Sequence, residues 1–211
     1  MKHFLDLGAH QLEGLAEFTE KLSIGKDWMV YSYEPNSLIF ENTKKVAAEV
    51  KNKYASLELQ NKAIMARGGK ITFNSHRGAW KDFNRREYIN GYTTGSNALD
   101  INPSFDTGNG VVFDTVQIET ECESITDLLN RICEGDAKAE IYIKCDIEGS
   151  EFEVLPAIIN SDHSERIKEI YIEWHERFWY ADRNEYEKRV SEKNQIINDL
   201  QRKGIVCNTH H

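Results

Sequence analysis

HFLDLGAHQLEGLAEFTEKLSIGKDWMVYSYEPN, residues 3–36, decides the fold. It opens with a short apolar run, residues 3–7, that stops at Gly8. Leu12, Leu15, Phe18 and Leu22 then recur at helical spacing and mark one apolar face. Gly25 stands where a C-capping glycine ends such a helix. Residues 28–33 are aromatic and β-branched enough to read as a strand, which Pro35 and Asn36 break. Strand, helix and strand in that order predict a parallel pair joined by a right-handed crossover.

Outward from this unit the alternation continues. Residues 37–54 read as a second helix carried by Leu38, Val46, Val50 and Tyr54, and residues 56–64 as a third strand. Residues 70–74 read as a short strand after Gly68-Gly69, and 111–121 alternate like another. Between them, residues 75–110 carry five glycines and little periodicity, a length that in a compact domain is functional or mobile. A regular order then resumes: helix 124–134, strand 140–146, helix 150–160, strand 167–174, helix 184–203 and strand 205–209. The expected fold class is α/β, a doubly wound, mostly parallel sheet flanked by helices. A single domain over 1–211 is expected, with an irregular insert at 67–110 after the third strand.

Composition narrows the function classes. The 211 residues are 40% hydrophobic and 10% aromatic, enough for a real core and unlike a disordered or fibrous chain. The formal charge of -9 argues against wholesale binding to nucleic acid or an anionic membrane. No apolar run approaches the roughly 18 residues needed to span a bilayer, and Asp6 interrupts the first apolar stretch, so no signal peptide is read and a cytoplasmic location is expected. Cys122, Cys133, Cys145 and Cys207 form no C-x-x-C pair and read as free thiols.

Three motifs carry chemistry. Phe4 to His10, FLDLGAH, closes a strand and opens a helix; Gly8 there lets backbone approach a ligand, and the helix start offers N–H groups to an anion. The same residues suit a plain tight turn. Glu34 follows at the end of the second strand, where an acid in doubly wound folds accepts from both hydroxyls of a ribose. Ile143 to Leu155, IKCDIEGSEFEVL, buries Ile143 and Cys145 in a strand and releases Asp146 and Glu148 at its carboxyl end. A carboxylate ending an apolar strand needs a partner. Glu151, in the first turn of the next helix, fits a helix-dipole placement equally well.

In this order the motifs resemble the FkbM family of methyltransferases that use S-adenosylmethionine. The carrying residues are Phe4-Leu5-Asp6-Leu7-Gly8-Ala9, Glu34-Pro35-Asn36 and Lys144-Cys145-Asp146-Ile147-Glu148-Gly149-Ser150-Glu151. The resemblance implies a class I methyltransferase (Rossmann-like) fold with a seven-stranded, mostly parallel sheet. It implies that Asp6, Gly8 and Ala9, with His10 beside them and Asp146 opposite, line the methionine end of the cofactor. It implies that Glu34, next to Pro35, holds the ribose, and that Asn61 to Ile64, including Ala63, end strand three beside the adenine. One departure is Leu12, where the family often has a further glycine.

Methyl transfer to a hydroxyl needs alignment and a base. Asp146, Glu148 and His175, the last of these just after strand 167–174, are the candidates at strand ends. The spacing demands no metal, although Asp146 and Glu148 could hold a divalent ion. Residues 67–86 hold six basic side chains against the single acid Asp82, with Trp80 and Phe83 interleaved. They read either as a solvated loop or as a lid over an anionic acceptor, with Arg77, Arg85 and Arg86 as substrate contacts and Ser96 and Asn97 in a closing loop.

The expected activity is methylation of an oxygen on a small-molecule or glycan acceptor, the oxygen preference coming from the resemblance. The alternatives are a dinucleotide oxidoreductase, disfavoured by the missing G-x-G-x-x-G, a non-catalytic binding module, and a nucleic-acid acceptor reached through the basic insert. A sheet edge left open at the last strand would favour a homodimer.

Overall fold

The computed structural model describes residues 1–78 and 113–210. Its principal sheet has six strands: β1 (Lys2–Leu7), β2 (Trp28–Tyr33), β3 (Ser56–Gln60), β7 (Glu140–Cys145), β8 (Ile167–Ile172) and β9 (Val206–Thr209). They lie in the order β3-β2-β1-β7-β8-β9, and every neighbouring pair is parallel. The chain runs outward from β1 to β3, then returns beside β1 and runs outward the other way. The order therefore reverses between β1 and β7, the switch point at which open α/β sheets hold their ligands.

Alternation along the strands divides the core. Leu5, Leu7, Tyr31, Tyr33, Ile141, Ile143, Ile170 and Ile172 face one layer, built by α3 (Ile125–Gly135), α4 (Glu151–Ile159) and α5 (Arg183–Arg202). Phe4, Trp28, Val30 and Tyr171 face the other, with α1 (Glu13–Lys21) and α2 (Ser37–Val50). Registers align the strand ends: Leu7 lies opposite Tyr33 on one side and Cys145 on the other. The residues that follow, Gly8, Glu34 and Asp146, thus emerge together.

Four expectations are corrected in detail. The third strand ends at Gln60 rather than 64, because the Asn61 amide donates to the carbonyls of Glu34 (2.8 Å) and Pro35 (3.2 Å) and turns the chain. Residues Ala63–Met65 instead form β4, which pairs with β6 (Phe113–Ser124) in a second, three-stranded sheet of order β4-β6-β5. The short strand at 70–74 is the middle of β5 (Gly69–Gly78), which pairs antiparallel with β6 along its whole length. The sheet implied to have seven strands has six among the described residues. On α2 the buried positions are Ile39, Thr43 and Ala47, while Leu38, Val46 and Val50 are only half-buried. The Asn36 side chain accepts from the Leu38 N–H and so fixes where that helix begins.

Gly25 does not cap α1. The helix closes earlier, with Ile24 N–H on the Thr19 carbonyl (3.0 Å) and Ser23 at φ 53°, the left-handed position that usually goes to glycine. Ser23 is exposed, so Ser23→Gly should raise stability by roughly 0.5–1 kcal/mol, read as a higher urea midpoint at unchanged m.

All four cysteines are free thiols. No helix among the described residues is long and apolar enough to cross a membrane.

Candidate active site

The turn after β1 is bound on both sides. Gly8 and Ala9 donate their N–H groups to the Tyr33 carbonyl, at 3.1 and 2.8 Å, and Asp146 donates to the Leu7 carbonyl at 3.1 Å. Gly8 has φ +81°, and a Cβ there would fall on the Asp146 carbonyl oxygen. His10 (φ 45°) and Leu12 (φ 66°) are also left-handed, so Leu12 adopts the backbone conformation that favours glycine. Leu12 is buried, and α1 starts from it without a capping side chain.

Glu34 is buried at the end of β2. One carboxylate oxygen accepts from Asn36 N–H at 2.7 Å, the other from His10 N–H at 2.8 Å. Burial raises its pKa to about 7, against the opposing pull of those N–H groups. The His10 ring sits on Glu13 at 3.0 Å; burial disfavours its charge, but Glu13 outweighs this and raises its pKa.

Beneath the turn, Lys144 donates to the Gly8 carbonyl at 2.5 Å. Its ammonium lies 3.2 Å from Asp146 Oδ2 and 3.5 Å from Asp6 Oδ1. Asp6 is fully buried, and burial lifts its pKa to about 6 despite Lys144. The lysine stem passes under α1 at Gly14, where a Cβ would come within 3.1 Å of Lys144 Cε.

The loop after β7 and the end of β8 build the third part. His175 is buried, with Nδ1 2.8 Å from Glu151 Oε1. Its Nε2 faces Glu148 Oε2 at 3.1 Å, Glu173 Oε1 at 3.6 Å and Asp146 Oδ1 at 3.8 Å. Burial opposes the imidazolium, but Glu151 and Glu148 prevail and raise the His175 pKa to about 11. Glu151 is fully buried and also accepts from Ile147 N–H (3.1 Å) and Gly149 N–H (2.9 Å), so it holds the loop as well as the ring. Glu148 takes φ 53° within that loop, and burial raises its pKa.

The structure therefore brings Asp6, Gly8, Ala9, His10, Glu34, Pro35, Asp146, Glu148 and His175 to the carboxyl ends of β1, β2, β7 and β8. Ala63 and Ile64 are buried on β4, outside the principal sheet. Arg77 lies in β5, with its side chain outside the described set; Arg85, Arg86, Ser96 and Asn97 lie outside the described residues altogether. Sequence reasoning gave no role to Lys144 or Glu173. A lysine inside the apolar run before Asp146 was the available signal, since a buried lysine requires partners. A groove of about 590 Å³ is lined by Met65, Arg67, Lys70, Cys122 and Glu153, beside the second sheet.

The sequence pattern of the methyltransferase FkbM domain matches residues 6–204. A crystal structure of methyltransferase FkbM from Methylobacillus flagellatus KT aligns over 94% of this chain with a TM-score of 0.52 at 14% identity. The likeness is one of fold, and this chain spans 38% of the length of that protein. No curated protein sequence matches the chain significantly.

Proposed function

The chain belongs to the methyltransferase FkbM domain family, and on that premise we propose that it transfers a methyl group from S-adenosylmethionine to an oxygen, a hydroxyl of a sugar or glycan. The observation that carries the reading is Glu34, a buried carboxylate at the end of β2 beside the β1–β7 switch point. The residues fit the cofactor. Each Glu34 oxygen takes one backbone N–H and keeps acceptor capacity for a ribose hydroxyl. The uncapped start of α1 offers N–H groups to a carboxylate, with Lys144 adding positive charge under the same turn. S-adenosylmethionine supplies an electrophilic methyl on a sulfonium. In this reading Asp6, Gly8, Ala9 and His10 belong to the methionine end of the cofactor, with Asp146 opposite.

The acceptor hydroxyl must lose a proton, and the group positioned to take it is the Asp146, Glu148 and His175 cluster. Burial raises the Glu148 pKa and so strengthens its carboxylate as a base, which makes it the proton acceptor in this reading. The basic run that begins at Arg67 and Lys70 supports an anionic acceptor. Calorimetric titration with S-adenosylmethionine, S-adenosylhomocysteine and NAD tests the reading. Binding of NAD with no response to either S-adenosyl ligand would overturn it. Glu34→Gln should weaken S-adenosylmethionine by about 1–3 kcal/mol. Unchanged affinity in a folded variant would remove Glu34 from the ribose.

A further inference from the structure

Asp146, Glu148 and His175 place three ligand atoms within 4.8 Å of one another, from two separate strand ends. Glu151 accepts two backbone N–H groups and also faces His175 Nδ1, so its carboxylate fixes the tautomer with the proton on Nδ1. Nε2 is then the ring nitrogen left to serve as a ligand, aimed at Glu148, Glu173 and Asp146. It is buried and makes no hydrogen bond among the described residues: Glu148 Oε2 at 3.1 Å does not meet the geometry of one. Three carboxylates around one ring nitrogen need a positive charge among them: the imidazolium supplies it when no ion is present, and a divalent cation takes the place of the Nε2 proton when it binds. Two of the acids have cations of their own, Lys144 on Asp146 at 3.2 Å and Arg177 on Glu173 at 3.2 Å. Among the described residues Glu148 has only the histidine.

We propose that Asp146, Glu148 and His175 bind a divalent cation, with Glu151 as the carboxylate that orients the histidine. Two carboxylates and one imidazole, with no thiolate, suit Mn²⁺ better than a softer ion. Asp146 and Glu148 are partly exposed, so an ion enters from the crevice and retains open coordination positions. An acceptor hydroxyl in one of those positions is made more acidic by the ion. That use of the ion rests on the methyl-transfer reading; the binding site does not.

The test is Mn²⁺ titration of the full chelator-treated chain, followed by electron paramagnetic resonance and calorimetry without S-adenosylmethionine. One ion per chain is expected. Glu148→Gln and His175→Gln should each weaken it about tenfold or more, with folding checked by thermal melts. Glu119→Gln, on exposed β6, should leave the affinity unchanged. No Mn²⁺ uptake, or uptake unaltered in both folded cluster variants, overturns the site. Mn²⁺ binding without any response to S-adenosylmethionine supports the site while removing the methyl-transfer reading.

Discussion

Lys144→Met should lower the unfolding free energy by about 3–5 kcal/mol, the usual loss when one member of a buried ion pair is removed. Lys144 and Asp6 are both buried, and neither Asp6 oxygen receives a hydrogen bond among the described residues. The ammonium at 3.5 Å is the only nearby positive charge on a described residue, and it also ties the Gly8 carbonyl to Asp146. Methionine keeps the stem that fills the space under Gly14 but removes all three contacts. Asp6→Asn in the same chain should recover a large part of the loss, because the stranded charge goes with it. A double-mutant cycle in urea measures the coupling. Additive single losses would show that the two groups act independently.

The same pair sets a pH dependence. Burial is the largest influence on Asp6, followed by Lys144 and then the neighbouring acids Asp146 and Glu13, and its folded pKa of about 6 lies above its ordinary value of 3.8. Between about pH 4 and 6 the folded state binds more protons at this site than the unfolded chain. This site's contribution to stability therefore falls as pH rises through that window and is level above it. Asp6→Asn should flatten that part of the profile, and Lys144→Met should extend the fall to higher pH.

Local pattern carried most of the principal sheet. Residues 28–31 and 141–143 are apolar on successive positions because both faces of a parallel strand are covered, and that reads directly. The departure of β4 from β3 does not read, because it depends on the Asn61 amide meeting carbonyls 26 and 27 residues away. The length of β5 was hidden for a similar reason: its partner β6 lies beyond the glycine-rich segment. In the site, Gly8, Glu34, Asp146 and Glu148 were legible because strand-end position is a local property. Lys144 and Glu151 were ambiguous because a helix-dipole acid and a buried tether look alike until His175 and Gly8 are brought beside them.

Gly8→Ala should lower stability by about 2–5 kcal/mol. Two terms add. The φ of +81° is left-handed, which costs a non-glycine residue roughly 1–2 kcal/mol. The new Cβ also falls on the Asp146 carbonyl, and crowding of that kind costs typically about 1–3 kcal/mol. The backbone has little room to yield, since Gly8 and Ala9 are bonded to Tyr33 on one side and Leu7 to Asp146 on the other. Gly204 separates the two terms: its φ is +76°, but a Cβ there meets nothing within 4 Å. Gly204→Ala should therefore show the conformational cost alone, and the difference in urea midpoints reports the contact between the two loops. Equal losses would mean that the β1 and β7 loops can separate freely. A larger loss at Gly8 would show that their close approach is what holds the turn, and with it His10 N–H on Glu34.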